Sequence, residues 1–138
     1  HGENYIQSNF NYDKLSDEIS NPNSIFFLIQ LRDKPVGLVK LNIDSGTYGY
    51  PADIALELER IYFIKEASGQ GLGKTTIDFI INFARQKSKK LIWLKAMDSS
   101  GAVEFYKKQG FEINDETCLD YPEIKDEYKK MFVMCKEL

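Results

Sequence analysis

One histidine, His1, and two cysteines are all that this 138-residue chain offers in imidazole and thiol groups. His1 sits at a terminus, where chains are normally mobile, so histidine-based catalysis and zinc sites are nearly excluded and no metal is expected. Cys118 and Cys135 lie far apart and outside any CxxC spacing, which reads as two reduced thiols. No apolar run approaches the roughly 20 residues that span a bilayer. The opening HGENYIQSNF lacks the basic and apolar regions of a signal peptide, so a cytoplasmic chain without a membrane partner is expected. An excess of basic charge is also missing: Lys plus Arg number 18 against 21 Asp plus Glu, a net charge of −3. Nothing is there to neutralise a nucleic-acid backbone.

What is present has the balance of an ordinary globular protein, 43% hydrophobic and 28% charged, at a length that suits one domain over residues 1–138. Leu15 and Ile19, four apart among charges, predict a short amphipathic helix over 12–20. SIFFLIQ (24–30) and VGLVKLNID (36–44) predict two antiparallel strands around the turn LRDKP. Residues 54–66 alternate strictly, with Leu56, Leu58, Arg60 and Tyr62 on one face and Glu57, Glu59, Ile61 and Phe63 on the other, as one long strand would. Ile77, Ile80, Ile81 and Ala84 keep helical spacing, and KSKK (87–90) closes that helix with cations suited to its dipole. A buried strand follows at 91–97, then an amphipathic helix over 100–110 with Gly110 placed to cap it. Two last strands are joined by the acidic loop DYPEIKDE. The order predicts an α+β layered fold: a mixed, mostly antiparallel sheet with flanking helices, in which 54–66 and 91–97 form a parallel pair through a right-handed crossover. Trp93, Phe26 and Phe27 read as core.

Between that long strand and the helix lies SGQGLGKT, Ser68 to Thr75, a loop shaped like a phosphate cradle. It is not a Walker A loop, because the glycine required five places before Gly73 is Ser68. It is not a dinucleotide fingerprint either, since Gly69, Gly71 and Gly73 are spaced by two throughout. What remains is a glycine-rich entry to a helix, where uncapped backbone N–H groups and the positive end of the dipole suit an anion.

The run LERIYFIKEASGQGLGK resembles motif A of the GNAT superfamily of acetyl-CoA-dependent N-acetyltransferases, a strand followed by Q/R-x-x-G-x-G/A, with Ser68 at the Q/R position. Further on, SSGAVEFYKKQGF resembles the partner motif N-x-x-A-x-x-F-Y-x-x-x-G-F, with Ser99 in place of the Asn and Ala102, Phe105, Tyr106, Gly110 and Phe111 as expected. Two motifs in the right order, within a likeness running from about Ser24 to Leu138, are more specific than one glycine loop. The overall pattern is similar to bacterial spermidine/spermine N-acetyltransferases. The family's first strand and helix have no counterpart ahead of residues 12–20, so the resemblance implies a fold lacking those two elements.

The resemblance implies acetyl-CoA as co-substrate, no metal, and a small primary amine, such as a polyamine, as acceptor. Acetylation of protein N-termini or lysines, and a non-catalytic acetyl-CoA-binding module, are its alternatives, and a homodimer is compatible with all three. The two strands of the parallel pair should splay. Pantetheine would lie on the exposed edge of the first strand at Ile61, Tyr62 and Phe63, and pyrophosphate on Ser68, Gly69, Gln70, Gly71, Leu72, Gly73 and Lys74. Ser99, Ala102 and Phe105 complete the cofactor site.

Chemistry sets the remaining roles. An aliphatic amine with a pKa of about 10.4 is neutral only about once in 2,500 molecules at pH 7, a cost near 4.6 kcal/mol, so a base is the pressing need. Glu57, at the position of the catalytic glutamate of histone-type members, and Glu59 on the same strand face are the candidates, acting directly or through water. A leaving thiolate with a pKa near 8.5 needs only about 2 kcal/mol of help. Tyr106 matches the family's usual acid.

Overall fold

The structure, a computed structural model, describes residues 19–47, 49–67, 69, 71–97, 101–118 and 130–138. Ser68, Gln70, Ser99, the loop at 120–127 and all but Ile19 and Ser20 of the helix expected at 12–20 lie outside that set; those two residues are helical. Strands β1 (Ser24–Leu31), β2 (Lys34–Asn42) and β3 (Ala55–Phe63) lead through a short 3-10 turn (Lys65–Ala67) into helix α1 (Leu72–Gln86). Strand β4 (Leu91–Met97), helix α2 (Ala102–Lys108), β5 (Glu112–Cys118) and β6 (Lys130–Glu137) follow. The sheet runs β1-β2-β3-β4-β6-β5. β3 and β4 pair in parallel and the other neighbours antiparallel, as expected.

Local chemistry moves several boundaries. The turn expected over LRDKP contracts to Arg32 and Asp33, whose φ angles of 53° and 67° make a two-residue mirror-image turn that matches the twist of its strands. Leu31 and Lys34 therefore pair directly. The strand expected to run to residue 66 ends at Phe63, and Lys65–Ala67 coil into the 3-10 turn. Phe26 and Phe27 are half-buried rather than core.

The strict alternation expected along 54–66 also breaks. Lys40 pairs with Arg60 but Leu41 pairs with Leu58, so Glu59 is an extra residue, a β-bulge, in β3. A bulge shifts the face count by one. Ile61 consequently joins Leu56 and Leu58 against the helices, while Glu57, Glu59 and Arg60 share the opposite face with Lys40 and Asn42.

Both helices cover one face. Ile77, Ile80 and Ala84 of α1 and Val103 and Tyr106 of α2 close over Leu41, Leu56, Leu58, Met134 and the alternate β4 residues Ile92, Leu94 and Ala96. The intervening Leu91 and Trp93 pack on the other side with Ala55, Val133 and Cys135. Lys89, one of the cations expected to close α1, does more than face the helix dipole. It is buried, with Nζ donating to the Asp44 carboxylate and to the carbonyls of Asp53 (3.0 Å) and Ala52 (3.4 Å). Those bonds tie the loop before β3 to the start of β4.

Candidate active site

β3 and β4 hold together only over Ala55↔Leu91, Leu56↔Ile92 and Glu57↔Trp93. Immediately beyond comes the bulge at Glu59, which turns β3 away and adds twist. The strands part, and the pairing with β4 does not extend to Ile61–Phe63. Glu57 occupies the last paired rung, at the apex of the opening.

A cleft of about 440 Å³ fills the helix side of this splay. Ile61 and Phe63 form one wall, Ala67, Gly69, Gly71 and the start of α1 (Leu72, Gly73, Lys74) the floor, and Phe105 and Tyr106 the opposite wall. The expected pantetheine edge, glycine loop and acid candidate therefore meet in one place. Tyr62 and Ala102 do not line it: Tyr62 falls between the cleft-facing Ile61 and Phe63, and Ala102 packs on the helix-side core.

The glycines are not equivalent. Gly71, the N-cap of α1, has φ 72° and no described side chain caps the helix there, so the N–H groups of its first turn, which lack intrahelical partners, have no capping acceptor among the described residues. Gly69 has φ 79°, and a β-carbon at either position would meet nothing within 4 Å. Both keep left-handed backbone over open space. Gly73 differs: a β-carbon there would lie 3.0 Å from the Phe105 ring, so its lack of a side chain serves helix packing, a role the sequence pattern did not single out. Lys74, also on the cradle, spends its ammonium on Asp78 at 3.0 Å along the exposed helix face.

Tyr106 is 7% exposed, held edge-on between Phe105 (centroids 5.3 Å) and Phe111 (5.6 Å). Burial pushes its phenol up to about 12. The hydroxyl has no hydrogen-bond partner among the described residues, yet no described side-chain polar atom is both buried and unpartnered. The phenol oxygen thus keeps an opening, and the cleft its ring lines supplies one.

The two glutamates approach the splay from the other face and differ sharply in their partners. Glu59 Oε2 is ion-paired with Lys40 Nζ (3.1 Å) and Arg60 Nε (3.0 Å); protonating it would break both contacts. Glu57 meets only neutral donors: its Oε1 accepts from Asn42 Nδ2 (2.9 Å) and Ser45 Oγ (3.2 Å), and its Oε2 has no partner among the described residues. Ser45 is itself fixed, its carbonyl accepting the Trp93 indole N–H at 2.7 Å. Asn42 and Ser45 went unnoticed in the sequence; the signal was a polar residue at the end of the buried run VGLVKL.

Fold and cleft define the class: an α+β sheet split between two parallel strands, with an uncapped, glycine-led helix start aimed at the split. The chain belongs to the acetyltransferase (GNAT) family, whose model matches residues 2–111. Over 107 residues, 77% of the chain, it is 32% identical to an uncharacterized N-acetyltransferase from the pepI 3′ region of Lactobacillus delbrueckii subsp. lactis, and spans 62% of that protein's length. It is 29% identical over 89 residues, 63% of the chain, to an uncharacterized N-acetyltransferase of Methanocaldococcus jannaschii and spans 38% of its length. Among solved structures, a GNAT family acetyltransferase from Elizabethkingia anophelis with acetyl-CoA bound has the same fold, with a TM-score of 0.73 at 22% identity, covering 93% of this chain and 84% of that one. No described helix is long and apolar enough to cross a membrane.

Proposed function

We propose that this chain moves an acetyl group from acetyl-CoA to a primary amine of a small molecule, by direct attack in a ternary complex. The observation that carries this reading is the cleft itself, where the end of β3 beyond its pairing with β4, the glycine-led start of α1 and a buried tyrosine converge. Pyrophosphate suits the N–H groups of Gly69–Lys74, and pantetheine suits the Ile61–Phe63 edge, where main-chain N–H would polarise the thioester carbonyl.

Glu57 is the base and Glu59 is a counter-ion for Lys40 and Arg60. Glu57 takes a proton from the acceptor ammonium, directly or through water. The freed nitrogen forms a C–N bond to the acetyl carbonyl carbon, the C–S bond breaks, the sulfur leaves as thiolate, and the nitrogen's second proton passes to water, leaving a neutral amide. Tyr106 donates a hydrogen bond to that sulfur. Full transfer from a phenol that burial holds at about 12 to a thiolate near 8.5 is uphill, so hydrogen bonding, not complete proton loss, is its contribution.

A polyamine acceptor fits the Glu57 carboxylate, whose described partners are neutral, and the net charge of −3. The test is thiol release from acetyl-CoA over a panel of spermidine, shorter diamines, monoamines and peptide N-termini. Turnover with polyamines supports the reading and turnover with peptides alone redirects it to protein acetylation. Acetyl-CoA binding with no transfer to any of them makes the chain a binding module and defeats it.

A further inference from the structure

We infer that Asn42 is a positioning residue for acetyl transfer, acting through Glu57; the inference rests on Glu57 being the base. Asn42 faces Glu57 directly across the β2–β3 ladder. Its Nδ2 donates at 2.9 Å to Glu57 Oε1 and at 2.9 Å to Glu59 Oε1. Its Oδ1 accepts from Ser24 Oγ at 2.8 Å. That set fixes the amide's orientation, because the flipped amide would turn an oxygen lone pair toward two carboxylates.

The residue type matters as much as the place. A cation at 42 would bind Glu57 as Lys40 and Arg60 bind Glu59, and would oppose proton uptake. A carboxylate would add a third like charge. A neutral donor with two hydrogens separates the glutamates, fixes one oxygen of Glu57 together with Ser45 Oγ, and commits no charge to it. The surrounding charges are Glu59 and Arg60 on β3, Lys40 on β2, and the Asp44–Lys89 pair beside Ser45. Asn42 and Ser45 are the described anchors of Glu57.

The experiment is a double-mutant cycle on the full chain, read as kcat/KM against pH with acetyl-CoA and whichever panel amine is turned over fastest. Asn42→Ala should lower kcat/KM about tenfold, as the loss of one hydrogen bond to a charged group would. It should also move the acidic limb of the profile upward, since a donor to the ionised form is gone. Asn42→Asp should move that limb further. In a Glu57→Gln background, itself down by about 10² or more, Asn42→Ala should cost nothing more. Equal losses in both backgrounds, or an acidic limb that stays put, overturn the positioning role and leave Glu57 in place. A Glu57→Gln protein with wild-type rate and an intact acidic limb defeats the base assignment instead. Thermal midpoints accompany each variant, and Asn42→Ser, which keeps a shorter donor, replaces any that unfolds and is judged by the same two readouts.

Discussion

Gly73 and Phe105 meet with no room for a methyl group between them: a β-carbon on Gly73 would sit 3.0 Å from Cζ and 3.2 Å from Cε1 of the ring. The start of α1, where pyrophosphate is proposed to bind, is thereby in contact with the helix that carries Tyr106, because Phe105 also packs edge-on against Tyr106 at 5.3 Å. Gly73→Ala sets two effects against each other. Alanine gains up to about 1 kcal/mol in a helix, while overpacking costs typically 1–3 kcal/mol. The expected result is a small fall in Tm with a several-fold fall in kcat, as Phe105 yields and carries Tyr106 with it. A variant with unchanged kcat would mean that the ring moves without disturbing its neighbour.

Gly71 poses the opposite case, with space but the wrong backbone. At φ 72° with nothing within 4 Å, valine meets no clash yet costs on the order of 1–2 kcal/mol of left-handed strain, and its methyls stand over the cradle. Gly71→Val should lower Tm and abolish the Tm rise that acetyl-CoA gives by mass action. Gly71→Asn tolerates the conformation and separates strain from obstruction: it should keep Tm and still lose the ligand shift. A normal shift in a folded Gly71→Val protein would show that the loop holds no pyrophosphate.

The sequence made the order of elements, the parallel pair and both helices legible because their apolar periods are long. The cleft residues came instead from the resemblance to the two GNAT motifs. The bulge was invisible: Glu59 is one polar residue in an alternation that looks intact, and only the pairing with β2 reveals that Ile61 rather than Arg60 faces the helices. The distinction between Glu57 and Glu59 was hidden for the same reason, because it depends on Lys40 and Asn42 from another strand. The burial of Lys89 was not legible in the KSKK run, because its partner Asp44 comes from a loop distant in sequence.

That buried lysine gives a stability prediction. Lys89→Met keeps the stem but leaves the carbonyls of Ala52 and Asp53 without their donor. An unmet buried acceptor costs about 1–3 kcal/mol, and because Ala52 and Asp53 are exposed, water offsets part of that here. A fall of several degrees in Tm is expected, together with lower kcat, because the same loop carries Ser45 and its bond to Glu57. Unchanged Tm would mean that the loop is held by other contacts.

Cys135 and Tyr106 predict alkaline sensitivity. Burial, then the charge of Glu137, pushes the Cys135 thiol from 9.0 up to about 11, and burial pushes the Tyr106 phenol from 10.0 to about 12. Above about pH 9 the unfolded chain gives up protons that the native state still holds, so stability falls as pH rises. The contribution is complete below pH 9 and is lost as pH climbs through 11 for the thiol and 12 for the phenol. Comparing Tm over pH 8–12 for wild type and Cys135→Ala isolates the thiol: the difference should open from about pH 9. Native Cys135 should also react slowly with iodoacetamide at pH 8. Rapid alkylation located at Cys135 by peptide mass, in a Cys118→Ala background, would contradict its burial.

Tyr106→Phe is the most direct test of the proposed chemistry. Phenylalanine keeps the ring between Phe105 and Phe111, and the lost hydroxyl has no hydrogen-bond partner to orphan among the described residues, so Tm should hold or rise slightly. What disappears is a donor near the leaving sulfur. General acid help is typically worth about 10²–10⁴-fold, but a phenol held at about 12 is too weak an acid to hand its proton fully to a thiolate near 8.5. The fall in kcat should therefore lie near or below the lower end of that range. The KM for acetyl-CoA should change little, because the bond matters chiefly once charge develops on sulfur. Wild type should also show no alkaline limb from this phenol below about pH 11, which separates Tyr106 from any group titrating near neutrality. Unchanged kcat with chemistry shown to be rate-limiting removes Tyr106 from the reaction, and a variant that unfolds assigns it to the core instead.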